Sequence, residues 1–176
     1  MSLGALQQLA AAAAKQPGRK LLIWVSPGWP ILTDPRIQLS SKDQQKLFGG
    51  IVGISNALRS ADLTIYSVDP LGTADAVQGR TTYYQSFLKG VKKPQEVQYG
   101  NVALQVFAIQ SGGRVLDSQN DIAAEIATAA ADASNYYVLT YQAVAGDGPE
   151  EYHSIEVKLD QPKLKALTPT GYYAQP

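Results

Sequence analysis

The sequence contains no cysteine, which excludes disulfide bridges, thiolate nucleophiles and cysteine-ligated zinc. Charge is sparse: Asp, Glu, Lys and Arg make up 17% of the 176 residues, and 15 Lys+Arg offset 15 Asp+Glu. A net charge of zero removes the overall basic footprint expected of a nucleic-acid or anionic-membrane binder. No stretch approaches the roughly 18 apolar residues of a spanning helix; the longest runs are 9–14 and 21–25. No basic residue precedes the N-terminal alanines, and Gln7-Gln8 interrupt them, so the start does not read as a secretory signal. Neither a phosphate loop nor a Gly-x-Gly-x-x-Gly turn occurs. No cofactor is implied by any motif.

Against these absences stand 45% apolar residues, enough to argue against disorder. A chain of this length makes one domain and buries roughly 70% of its unfolded surface. Leu3, Leu6, Leu9 and Ala13 predict a short helix over 3–15, stopped by Pro17-Gly18. The run 20–26 is continuously apolar, as in a parallel strand covered on both faces. A Pro-rich loop follows. Ser41 with Gln44 has the form of a capping box, and Leu47, Ile51, Ile54 and Leu58 give the next helix one apolar stripe. Gly49, Gly50 and Gly53 weaken that helix and suggest close packing on a sheet. A second buried-type strand covers 63–68. The segment 71–98 reads as a long loop around a short helix at 82–88. A helix over 102–109 stops at Gly112-Gly113, a short strand covers 114–116, and Ile122, Ile126, Ala129 and Ala133 mark another helix.

Beyond this point the apolar period becomes two. Segments 136–141 and 154–160 alternate and flank Gly146-Asp147-Gly148-Pro149, which predicts an antiparallel hairpin. Gly171 to Ala174 offers one further short strand. The order of elements predicts an α/β protein: a three-layer sandwich around a mainly parallel, Rossmann-like sheet, with a C-terminal β extension over 135–176 that contains the antiparallel hairpin.

These residues resemble a family. Pro17-Gly18-Arg19-Lys20 leading into Leu22-Ile23-Trp24-Val25-Ser26 is similar to the fourth-strand region of von Willebrand factor A-like (VWA) domains, in particular the VWA-related family described mainly from acidobacteria. Ile65-Tyr66 with Asp69 and Gly72 resembles that family's next strand and exit loop. Ser111-Gly112-Gly113-Arg114 resembles its Gly-Gly-Arg turn, and Asn120-Asp121-Ile122 its helix start. The run 136–141, Asp147-Gly148, His153 and Gly171-Tyr172-Tyr173 resemble its C-terminal signature.

The resemblance implies one VWA-type domain over 1–176 that lacks the N-terminal strands, and an exported or periplasmic setting. Two departures bear on function. The Asp-x-Ser-x-Ser motif of the metal-ion-dependent adhesion site is absent, and Pro27-Gly28 stands where metal-binding members carry Asp-Gly. A Mg²⁺ ion needs such carboxylates, so no metal is expected. Lacking the earlier strands, the strand over 21–25 is expected to present an unpaired apolar edge, to be covered by a second copy in a homodimer, by the C-terminal hairpin or by another segment.

Candidate chemistry is thin. His153, the only histidine, would serve a hydrolase triad only with a serine and a carboxylate beside it; no Gly-x-Ser-x-Gly elbow accompanies it, and a turn or edge histidine is the plainer reading. Ser26, Trp29 and Asp34 lie in the loop after a strand taken as central, and Asp69 ends its neighbour. Ligands of open α/β sheets bind at such ends, and Trp is enriched in binding hot spots. The plainer reading folds Trp29 over the core and makes Asp34 or Asp69 a helix cap. The tyrosine pairs 83–84, 136–137 and 172–173 suggest contact surface, or strands with one ring in and one out. Lys89, Lys92 and Lys93 lack interleaved aromatics and read as a solvated loop. The expectation is therefore a non-catalytic protein-interaction module, with a structural self-assembly domain as the alternative and a His153 hydrolase further behind.

Overall fold

The apolar run at 20–25 forms strand β1 (Lys20–Val25), and the second run forms β2 (Leu63–Val68). The two pair in parallel residue for residue, from Lys20 with Leu63 to Val25 with Val68, and β2 pairs on its other side with a two-residue strand, β3 (Val115–Leu116). The structure, a computed structural model, describes residues 2–29, 38–71, 83–117, 120–143, 148, 150–161 and 163–174. The protein is thus α/β, with a three-stranded parallel sheet in the order β1-β2-β3. The sequence reading takes the strand at 20–26 both as central and as carrying an open edge; among the described strands β2 is central and β1 is an edge, as the second expectation has it.

Three helices cover one face of the sheet. They are α1 (Ser2–Ala13), α2 (Ser41–Ser60) and α3 (Leu104–Gln110). Leu6, Ile51, Ile54, Leu58 and Phe107 pack there on Leu22, Trp24, Leu63 and Ile65. On the opposite face a fourth helix, α4 (Ile122–Ser134), lays Ala129 and Ile122 over Tyr66, Val68, Leu21 and Ile23. Period-two alternation assigns the strand residues to these faces.

Several details depart from the sequence expectations. The cap of α2 is Ser40, whose hydroxyl accepts from the Asp43 amide at 3.2 Å, one residue earlier than the Ser41–Gln44 box. The Gln44 amide reaches the carbonyls of Gln95 and Val97 instead. A Cβ added at Gly49, Gly50 or Gly53 would meet nothing within 4 Å, so these glycines do not serve close packing. In α4 the buried positions are Glu125 and Ala129, and Ile126 is 37% exposed; the covered stripe is rotated from 122/126/129/133 towards 122/125/129. The expected helix at 82–88 is a 3-10 turn, Tyr83–Phe87. Five consecutive residues of α3 are buried, from Leu104 to Ala108, so this helix is enclosed all round and carries no stripe.

The C-terminal part differs most. The expected pairing of 136–141 with 154–160 does not form, and 136–143 carries no strand. Of the expected turn 146–149, all but Gly148 lies outside the described residues. The antiparallel pair is β4 (Tyr152–Ser154) with β5 (Gly171–Tyr173). Aromatic packing selects it: Tyr173 meets Tyr152 at 5.1 Å and the Phe48 edge at 5.9 Å between ring centroids, joining this pair to α2. Residues 154–158 still alternate between exposed and half-buried, but no described strand lies opposite them.

Candidate functional site

At the carboxyl end of β1 the chain turns through Ser26, Pro27 and Gly28. The Ser26 hydroxyl accepts from the Gly28 amide at 3.2 Å. Gly28 has φ +92°, and a Cβ there would collide with the Gln105 side chain, so only glycine admits both the turn and the contact. The Gln105 amide donates to the Pro27 carbonyl at 3.1 Å while its Oε1 stays buried without a partner. Trp29 folds back, 4.8 Å from the Trp24 ring, and its carbonyl accepts from the Leu104 amide at 2.8 Å. Its indole N–H is buried and unpartnered.

Asp69 ends β2 at 4% exposure, with its carboxylate accepting from the Leu71 amide at 2.9 Å. Ser26 and Asp69 therefore sit at the ends of paired strands, Trp29 lies against the core, and Asp34 lies outside the described residues. Among the described residues no group of three His, Asp or Glu side chains is placed to hold a metal ion. The strands progress in one direction, so the three described strands contain no point of reversal and no crevice of the kind that usually houses a ligand. His153 lies on β4, stacked on the Tyr172 ring at 5.1 Å with Nε2 unpartnered, and no described serine or aspartate is hydrogen-bonded to it. Gln105 escaped the sequence reading, although a lone glutamine inside the apolar run 102–109 was the available signal.

The outer edge of β1 is unpaired among the described residues. In a parallel strand the N–H and C=O of one residue point to the same neighbour and alternate along the strand. Lys20 N–H donates to Asp62 and Ser26 N–H donates to Val68, so Lys20, Leu22, Trp24 and Ser26 face β2. Leu21, Ile23 and Val25 must then point their backbone groups outward, where no described residue pairs with them. Val25 is 47% exposed, and the rest of β1 is half-buried.

At the opposite end of the sheet, the C-termini of α2 and α4 and the C-terminal segments border an open cleft of about 1120 Å³, lined by Arg19, Tyr66, Asp132, Tyr136, Leu139 and Tyr172 among others. The Tyr66 hydroxyl donates to Asp132 at 3.1 Å, and Arg114 pairs with the same carboxylate at 3.1 Å. Burial first, then the charge of Asp132 and the hydrogen bond to it, push the Tyr66 phenol up to about 12. Arg19 lies over the Tyr136 ring at 5.1 Å and Arg59 over Tyr172 at 5.6 Å. Segment 136–141 crosses this end, with Tyr141 6.1 Å from Tyr172 and Tyr137, Val138 and Leu139 at 95%, 78% and 71% exposure.

No helix among the described residues is long and apolar enough to cross a membrane. A scan against protein-family models, a search of curated proteins and a search of solved structures each return no match.

Proposed function

We propose that this chain is a non-catalytic protein-interaction module of VWA type, a three-layer sandwich without a metal of its own, that recruits its partner along the outer edge of β1. One observation carries the reading: Leu21, Ile23 and Val25 present three outward backbone N–H groups beside partly exposed apolar side chains. Unpaired edges of this kind are templates for strand addition. The ladder supplies affinity, and the side chains at alternate positions supply selectivity. Ser26 and Trp29 continue from the same strand, so an added strand would run on to the loop they form; Asp69 borders that end from β2.

Hydrogen exchange in dilute solution tests the reading. The amides of Leu21, Ile23 and Val25 are expected to exchange fast while those of Leu22 and Trp24 exchange slowly. Equal protection of all five would mean that the edge is covered within the chain, and the reading would fall.

A further inference from the structure

We infer that segment 136–141 is the strand that completes β1, and that it does so in a second copy of this chain, each copy giving its segment to the other. The inference rests on the reading of β1 as an interface and names its occupant.

The fold directs the segment to that edge. Helices α2 and α3 carry the chain from β1 to β2 to β3 across one face, whereas α4 lies on the other face and packs on β2 and β1. Parallel crossovers are almost always right-handed. Moving the helix to the opposite face reverses the direction of travel, so a strand following α4 is sent back past β2 to the far side of β1. The chain leaves α4 at that place: Tyr136 lies under Arg19, one residue before β1 begins. The segment has the pattern of a strand. Tyr137, Leu139 and Tyr141 alternate with Tyr136, Val138 and Thr140, and its apolar members are exposed in the single copy.

Two observations favour exchange over pairing with its own β1. Only Asn135 separates the last residue of α4 from Tyr136, whereas a helix-to-strand reversal ordinarily takes about 2–6 residues. A hinge too short to turn back invites exchange between copies. The area also suffices. Burying Tyr137, Val138, Leu139 and Tyr141 in both copies removes on the order of 1,000 Å² or more from water, within reach of a specific interface. With no net charge on the chain, long-range repulsion between copies is small.

The test is light scattering of the full chain from low to high micromolar concentration. It compares the wild type, the edge variant Val25→Pro, the segment variant Val138→Lys with Leu139→Lys, and a mixture of the two variants. Val25 points its N–H outward, so proline there removes an edge donor and leaves the ladder to β2 intact. Val138 and Leu139 are already exposed, so lysines there block pairing without disturbing the single copy.

The wild type is expected to dimerise and each variant to do so at least about tenfold more weakly, a difference of about 1.4 kcal/mol. The mixture is expected to recover heterodimer, because the segment of one variant still fits the edge of the other. A segment variant that dimerises like the wild type overturns the inference. So does a wild-type monomer at every concentration, whether its 136–141 amides are protected or free. Hydrogen exchange separates this failure from that of the underlying reading: amides of Leu21, Ile23 and Val25 already protected in dilute monomer sink both. The same amides open in the dilute protein, and gaining protection with concentration equally in wild type and segment variant, sink only the exchange.

Discussion

Strands β1 and β2 are six residues each, apolar, and paired position by position, yet all six residues of β2 are buried and none of β1 is. The difference is one of place. On one side β2 bonds to β1; on the other, Ser67 and Asp69 donate to Arg114 and Leu116 and the Ile65 amide donates to the Ser111 hydroxyl at 3.0 Å. Each backbone group of a strand interior must find a partner or remain in contact with water. For β2 the molecule supplies partners on both sides. For β1 the described residues supply one side only. Two similar stretches thus stand in opposite settings: β2 is paired on both sides, and the outer side of β1 meets no described strand.

The contrast can be broken by experiment. The largest effect belongs to β2: Ile65→Ala, at a site with 0% exposure, is expected to cost ~3–4 kcal/mol, read from the denaturant midpoint. Ile23→Ala on the half-buried β1 should cost ~1 kcal/mol, and equal costs would erase the distinction. A separate loss appears in alkali. The Tyr66 phenol is raised to about 12 in the folded protein against 10.0 ordinarily, so its contribution is complete below pH 10 and disappears as the pH climbs towards about 12. Burial also raises the phenols of Tyr152 and Tyr173, so tyrosinate absorbance should show several late-titrating groups, of which Asp132→Asn moves one earlier; no movement would mean that burial alone sets Tyr66.

Gly49→Ala and Gly53→Ala, with open space at each Cβ, should each stabilise α2 by ~1 kcal/mol. A loss instead would show that a partner covers this helix. The smallest effect is expected at 136–141: Val138→Lys should change the stability of the single copy by less than about 0.5 kcal/mol, and a cost of several times that would mean that the segment packs at home.

Sequence reasoning reached the elements better than their surroundings. The α/β alternation, the two apolar strands and the helices over 41–60 and 122–134 follow from periodicity, a local property. The open edge expected at 21–25 rested on the family resemblance and not on local pattern: edge position depends on pairings far apart in the chain, and the apolar runs at 20–25 and 63–68 look alike on that score. In α4 the covered stripe includes Glu125, and nearby Asp132 is held by Tyr66 and Arg114; a hydrophobic stripe cannot announce polar residues of that kind. The hairpin over 136–160 failed for a different reason. Alternation records a capacity to pair, and here Tyr152 and Tyr173 found deeper burial with each other and with Phe48. Of the site residues, Ser26 and Asp69 were placed at strand ends by the sequence itself, while the Gln105 contact to Gly28 spans a sequence distance that no local pattern reports.

One hydroxyl sets a length rule for the chain. Ser111 accepts from the Ile65 amide and donates to the Ala108 carbonyl at 2.9 Å, and two residues later Gly113 comes so near the Ile65 carbonyl that no Cβ fits between. The turn is therefore gauged from both ends, by a bond that needs Ser111 in place and by a clearance that needs Gly113. Adding or deleting a single residue there would shift one against the other, leaving β2 with an unanswered amide or β3 out of register. Natural variation in the length of this protein should fall elsewhere, in the loop before α2 and in the long connection between β4 and β5.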